Sequence, residues 1–99
     1  MSLKKNKIAI IGAGEMANEY LKVLSKYKNV EVVGIYNRTL NKSLKLKKKF
    51  KIKNVFKKID EMYKISKPEG VIVAISPDKL NQKKKEIFNQ NIKYLVEKP

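Results

Sequence analysis

Lys7-Ile8-Ala9-Ile10-Ile11-Gly12-Ala13-Gly14-Glu15-Met16-Ala17 is the stretch that decides the fold. Lys7–Ile11 is a short apolar run stopped by glycine, too short for a buried helix and well suited to a buried strand. Beyond the glycines, Ala17, Tyr20, Leu21 and Leu24 recur at i, i+3, i+4 and i+7, which predicts a helix over about 15–27. Strand, glycine turn and amphipathic helix follow one another without a break. Between them lies the pattern G-x-G-x-x-A: Gly12 permits a tight turn, Gly14 allows backbone to approach a pyrophosphate, and Ala17 lets the helix pack close. The helix start then offers free N–H groups and a positive dipole end to an anion. A glycine turn that binds nothing is the plain alternative.

The same alternation continues along the chain. Val30–Tyr36 is β-branched and apolar, a second strand, and Asn41–Phe50 reads as a helix whose apolar stripe is blurred by lysines. Asn54-Val55-Phe56 gives a short third strand; Ile59, Met62, Tyr63 and Ser66 give a compact helix ended by Pro68 and Gly70. Val71–Ile75 is a fourth strand, Ser76-Pro77-Asp78 turns into a helix over about 79–90 with Leu80, Ile87 and Phe88 inward, and Tyr94–Val96 is a fifth strand. Apolar strands separated by helices imply a parallel sheet covered on both faces. The expected fold is α/β, a doubly wound, Rossmann-like sheet in the order 3-2-1-4-5. Ligands of such sheets sit beyond the carboxyl ends of the strands, here after Ile11, Tyr36, Ile75 and Val96.

Composition narrows the chemistry. The 99 residues contain no cysteine and no histidine, which leaves no disulfide framework, no thiolate or imidazole metal site, and no imidazole general base. The apolar run after the basic N-terminus ends too soon for a signal peptide, and no stretch approaches the roughly 18 apolar residues of a membrane span, so the expected location is cytoplasmic. A net charge of +15 invites a polyanion-binding reading. Yet 24 residues are basic and only Arg38 is an arginine, whereas phosphate and base recognition favours the arginine fork. Solvated surface lysines account better for the charge, part of which can attract an anionic cofactor.

In dinucleotide-binding βαβ units the residue that reads the adenosine ribose lies about 20 positions past the glycine loop, which here is Asn37. An acid there would bind the 2′-hydroxyl of NAD and repel a 2′-phosphate. Asn37-Arg38-Thr39 removes the repulsion and adds a permanently charged fork, which favours NADP over NAD. Arg38 stacked on adenine, or lying in solvent, is the competing reading.

Gly12-Ala13-Gly14 with Met16-Ala17, Tyr36-Asn37-Arg38, Val73-Ala74-Ile75-Ser76-Pro77 and above all Val96-Glu97-Lys98-Pro99 resemble the N-terminal domain of the Gfo/Idh/MocA oxidoreductases. The resemblance covers essentially the whole chain. It implies cofactor contacts at Gly12, Ala13, Gly14, Glu15, Met16, Asn37, Arg38 and Thr39, with Ser76 and Pro77 lining the nicotinamide side. It further implies Glu97 on the nicotinamide ribose, and Lys98 as the catalytic residue beside the reacting carbon, where it hydrogen-bonds the substrate hydroxyl. Two departures stand out. Asn81 is nearest to the place where many members carry a histidine, and the aspartate and histidine of the family's proton relay belong to a second domain that would follow Pro99.

The expectation is therefore an NAD(P)-binding domain over residues 1–99 of an oxidoreductase acting on a sugar-like hydroxyl or carbonyl, truncated before its substrate domain and inactive alone. Such a domain leaves the fifth strand's outer edge open to self-association. A pyrroline-5-carboxylate reductase-like NADPH enzyme shares the G-A-G-x-M-A loop, and a dinucleotide- or nucleic-acid-binding regulator would use the charge. These are the alternatives.

Overall fold

The computed structural model describes residues 5–88 and 92–96. Five strands and four helices alternate: β1 (Asn6–Ile11), α1 (Glu15–Leu24), β2 (Val30–Tyr36), α2 (Leu40–Phe50), β3 (Val55–Phe56), α3 (Ile59–Ser66), β4 (Gly70–Val73), α4 (Pro77–Ile87) and β5 (Lys93–Val96). All strand pairs are parallel and the sheet runs β3-β2-β1-β4-β5, the order expected from the sequence.

Period-two alternation along the central strands builds two cores. Ala9, Ile11, Val71 and Val73 point to one face, where they meet Met62 and Tyr63 of α3 and Ile87 of α4. Ile10, Ile35 and Ile72 point to the other, against Ala17 and Leu21 of α1 and Leu46 of α2. The apolar runs are continuous because helices cover the sheet on both sides. The lysine-blurred α2 is anchored by Leu46, while Leu40 and Leu44 stay exposed.

Several boundaries differ from the sequence-based expectation. Helix α1 stops at Leu24 rather than near residue 27, because Lys26 and Tyr27 donate to Val23 and Leu24, closing i→i+3 turns. Strand β4 ends at Val73, where its register with β1 ends at Ile11↔Val73; the Ala74 amide still donates to the Ile11 carbonyl (N···O 2.8 Å). Helix α4 begins at Pro77, earlier than residue 79. Proline needs no N–H partner in the first turn, and the Ser76 hydroxyl caps it by accepting from the Lys79 amide. That helix ends at Ile87, and Phe88 is not inward: it is 40% exposed and packs edge-on against Tyr94, with ring centroids 4.8 Å apart. Ile87 takes the buried place, and its carbonyl accepts hydrogen bonds from Tyr63 and Tyr94 hydroxyls at 2.8 and 2.6 Å. Burial, with the Tyr94 bond second, raises the Tyr63 phenol far above its ordinary range. The chain end of α4 is thus pinned to α3 and β5.

Ser43 of α2 is fully buried and its hydroxyl has no hydrogen-bond partner among the described residues. A buried orphan hydroxyl costs about 1–3 kcal/mol of desolvation. Ser43→Ala is expected to raise stability by about 1 kcal/mol, seen as a rise in melting temperature of roughly 4–8 °C. A lower melting temperature would mean that the hydroxyl is paired.

Candidate functional site

The loops at the carboxyl rim are tied to one another by backbone. Gly12 donates to the Tyr36 carbonyl at the end of β2 (2.8 Å), and Ala74 donates to Ile11. Gly12 has φ of +115°, and a Cβ built on it would lie 2.3 Å from the Ala74 carbonyl oxygen. The first glycine therefore serves the fold: it lets the β1–α1 turn pass between two neighbouring strand ends. Gly14 differs. It is exposed, has φ of −89°, and a Cβ there would meet no atom of the described residues within 4 Å. The protein's own packing does not require a glycine at this N-cap of α1. A cradle that a Cβ would fill from outside fits close approach of a ligand, and the first-turn amides of α1 beside it have no partners within the helix.

Three segments meet around a recess of about 190 Å³. Ala13, Gly14 and Met16 come from the first loop, Asn37, Arg38 and Thr39 from the second, and Ala74, Ile75 and Ser76 from the third. A smaller hollow of about 40 Å³ adjoins it, floored by Gly12 and Tyr36 and sharing Asn37, Arg38 and Ile75. The Asn37 amide donates to the Thr39 carbonyl (3.1 Å), which holds the loop carrying Arg38. Among the described residues, no carboxylate lines either hollow. Larger depressions exist, but the described lining of one of about 490 Å³ comes from α1, and one of about 580 Å³ includes Lys5, Val30 and Glu31, at the amino ends of β1 and β2. Neither is where the loops converge.

Of the residues singled out in the sequence, Gly12, Ala13, Gly14, Met16, Asn37, Arg38, Thr39 and Ser76 line the two hollows. Glu15 lies on the outer side of α1 with Glu19, and Pro77 lines neither hollow. Glu97 and Lys98 fall outside the described residues; β5, which leads to them, is parallel to β4 and ends beside Val73 on the same rim. Four further residues escaped the sequence reading: Lys42 on α2, and Lys79, Gln82 and Lys83 on α4. The last three stand at i, i+3 and i+4, one helix face, and that spacing was the available signal. Lys83 also sits 5.9 Å from the centre of the Tyr36 ring, and Tyr36, then Glu86, raise its pKa above the ordinary lysine value.

Among the described residues, no helix is long and apolar enough to cross a membrane. Glucose-6-phosphate 3-dehydrogenase of Bacillus subtilis is 41% identical over 68 residues, which are 69% of this chain and 19% of that protein. Scyllo-inositol dehydrogenase of Lactobacillus casei, solved with NAD(H) and scyllo-inositol, superimposes with a TM-score of 0.79 at 17% identity, over 94% of this chain and 28% of that one. A 3-ketoreductase of Actinomadura kijaniata, solved with NADP and TDP-benzene, gives a TM-score of 0.82 at 16% identity, over 97% and 30%. The chain thus spans about a fifth to a third of these proteins' lengths. The family model for the NAD-binding Rossmann fold of the GFO_IDH_MocA oxidoreductases matches residues 6–99, nearly the full length, and with the glycine loop, the sheet order and the rim geometry in agreement, the chain belongs to the Gfo/Idh/MocA oxidoreductase family.

Proposed function

We propose that residues 1–99 form the cofactor half of an oxidoreductase that moves hydride between NADP(H), in preference to NAD(H), and a hydroxyl or carbonyl carbon of a sugar-like substrate. The observation that carries the dinucleotide reading is Gly14, a glycine that the fold does not need and that opens onto a rim hollow at a helix start. Gly12, Ala13, Gly14, Glu15 and Met16 form the turn over which the pyrophosphate lies, and the first-turn amides of α1 donate to it. Arg38 and Thr39 hold the adenosine ribose, with Asn37 fixing their loop. When bound, the nicotinamide supplies the hydride donor or acceptor. Ser76 and Pro77 border its side of the groove, Glu97 binds its ribose, and Lys98 hydrogen-bonds the substrate hydroxyl and favours alkoxide character as hydride leaves. The substrate pocket and proton relay belong to a second domain, so residues 1–99 alone bind cofactor without turnover.

Support for a sugar-like substrate comes from the glucose-6-phosphate and inositol dehydrogenases among the similar proteins. The preference for NADP rests on Arg38, with no carboxylate of the described residues lining the rim hollows beside it. Retention on 2′,5′-ADP resin with elution by NADP tests the reading; retention on heparin alone, insensitive to NADP, would favour polyanion binding instead. Arg38→Ala is expected to weaken NADP binding about 10-fold or more, as loss of a charge-assisted hydrogen bond does, and NAD binding by no more than about twofold. Equal losses for the two cofactors would remove Arg38 from the 2′-phosphate.

A further inference from the structure

The 190 Å³ recess is lined by three cations from three separate elements: Arg38 from the β2–α2 loop, Lys42 from the first turn of α2, and Lys79 from the first turn of α4. Helices α2 and α4 cover opposite faces of the sheet, so the two lysines reach the rim from opposite layers. Thr39 adds a hydroxyl to the same lining. The carboxylates adjacent to it in sequence, Glu15 and Asp78, do not line it, and α2 has no acid in its first turn.

Both lysines sit where the fold gains nothing from them. An ammonium in the first turn of a helix opposes the helix dipole, which favours cations at the other end. Neither Lys42 nor Lys79 is in an ion pair with a described carboxylate, and both are exposed. Their backbones are nevertheless fixed: the Lys79 amide donates to the Ser76 hydroxyl and the Lys42 amide to the Thr39 carbonyl. Two cations held against local electrostatics, facing one hollow beside an arginine, point to a compact anion of more than one charge.

We infer that Lys42 and Lys79 close with Arg38 on the phosphate at the ribose 2′-oxygen, so that Lys79, from across the cleft, is a specificity-determining residue for NADP(H) over NAD(H). This rests on the dinucleotide reading given above and extends it to a residue far in sequence from the glycine loop and the β2 end. The mechanism is charge counting: the 2′-phosphate adds up to two negative charges that the 2′-hydroxyl lacks, and each lysine meets them in a partly exposed hollow that salt can screen.

Titration of NADPH and NADH, followed by nicotinamide fluorescence, tests this on the wild-type chain and on Lys79→Ala, Lys79→Glu and Lys42→Ala. Lys79→Ala and Lys42→Ala are each expected to weaken NADPH about fivefold and to leave NADH within about twofold, as an exposed charge pair allows. Lys79→Glu is expected to weaken NADPH about 50-fold, since it replaces attraction by repulsion. The wild-type preference for NADPH should shrink as salt rises from about 0.05 to 0.5 M, a change that removing Lys79 blunts. Melting temperatures should not fall in either alanine variant. Equal changes for both cofactors, or none, would overturn the clamp while leaving dinucleotide binding in place. A wild-type chain that binds neither cofactor would overturn both.

Discussion

Gly14→Ala is expected to fold as the wild type does and to lose dinucleotide binding. The added methyl meets no atom of the described residues within 4 Å, and φ of −89° suits any residue. At an N-cap, alanine in place of glycine costs under about 1 kcal/mol. A pyrophosphate resting on this turn would meet the methyl directly and lift away from the α1 amides. Hydrogen bonds to a charged group contribute about 1.5–3 kcal/mol each, so losing one or two lowers affinity by about 10-fold or more. Circular dichroism melting should shift by less than roughly 4 °C, in line with that small cost. Titration of either cofactor should show the loss equally for NADPH and NADH, because both carry the pyrophosphate. Affinity kept within twofold would put the pyrophosphate elsewhere; a variant that unfolds would make Gly14 a residue of the fold.

Gly12→Ala is expected to do the opposite kind of damage. A Cβ there would stand 2.3 Å from the Ala74 carbonyl oxygen, a backbone atom that cannot turn aside, and φ of +115° is closed to other side chains. Backbone strain of about 1–3 kcal/mol and overpacking of about 1–3 kcal/mol add to roughly 2–6 kcal/mol. A domain of this length has roughly 5–15 kcal/mol in total. The melting temperature should fall by about 10 °C or more, and β1 would lose its hold on the ends of β2 and β4. An unchanged melting curve would mean that the turn relaxes freely. The two variants together separate a glycine kept for folding from one kept for a ligand, although the motif writes them alike.

That contrast marks where sequence reading stops. Gly12 and Gly14 are both legible as a G-x-G turn, but the room around Gly12 depends on Ala74, more than 60 positions away, and that around Gly14 on what lies beyond the protein surface. Asn37, Arg38 and Thr39 were legible because the spacing from the glycine loop is set by one βαβ unit. Lys42 and Lys79 were not, since one lysine among so many carries no local mark. Only the packing of α2 and α4 on opposite faces brings them to one recess. Phe88 shows the same limit: its hydrophobicity predicts an inward side chain, but α4 ends at Ile87, and the buried place at that end is already filled.

What the amino-acid sequence determined alone was the succession of strands and helices and, through it, the parallel order β3-β2-β1-β4-β5. Its means are local: side-chain period, glycine and proline punctuation, and right-handed crossovers leave few arrangements for five buried strands. What the tertiary structure decided was which side chains share a hollow and which glycine the fold itself requires. Those depend on register between strands and on helix rotation over the sheet, and both are set by the joint packing of two cores that no single segment encodes.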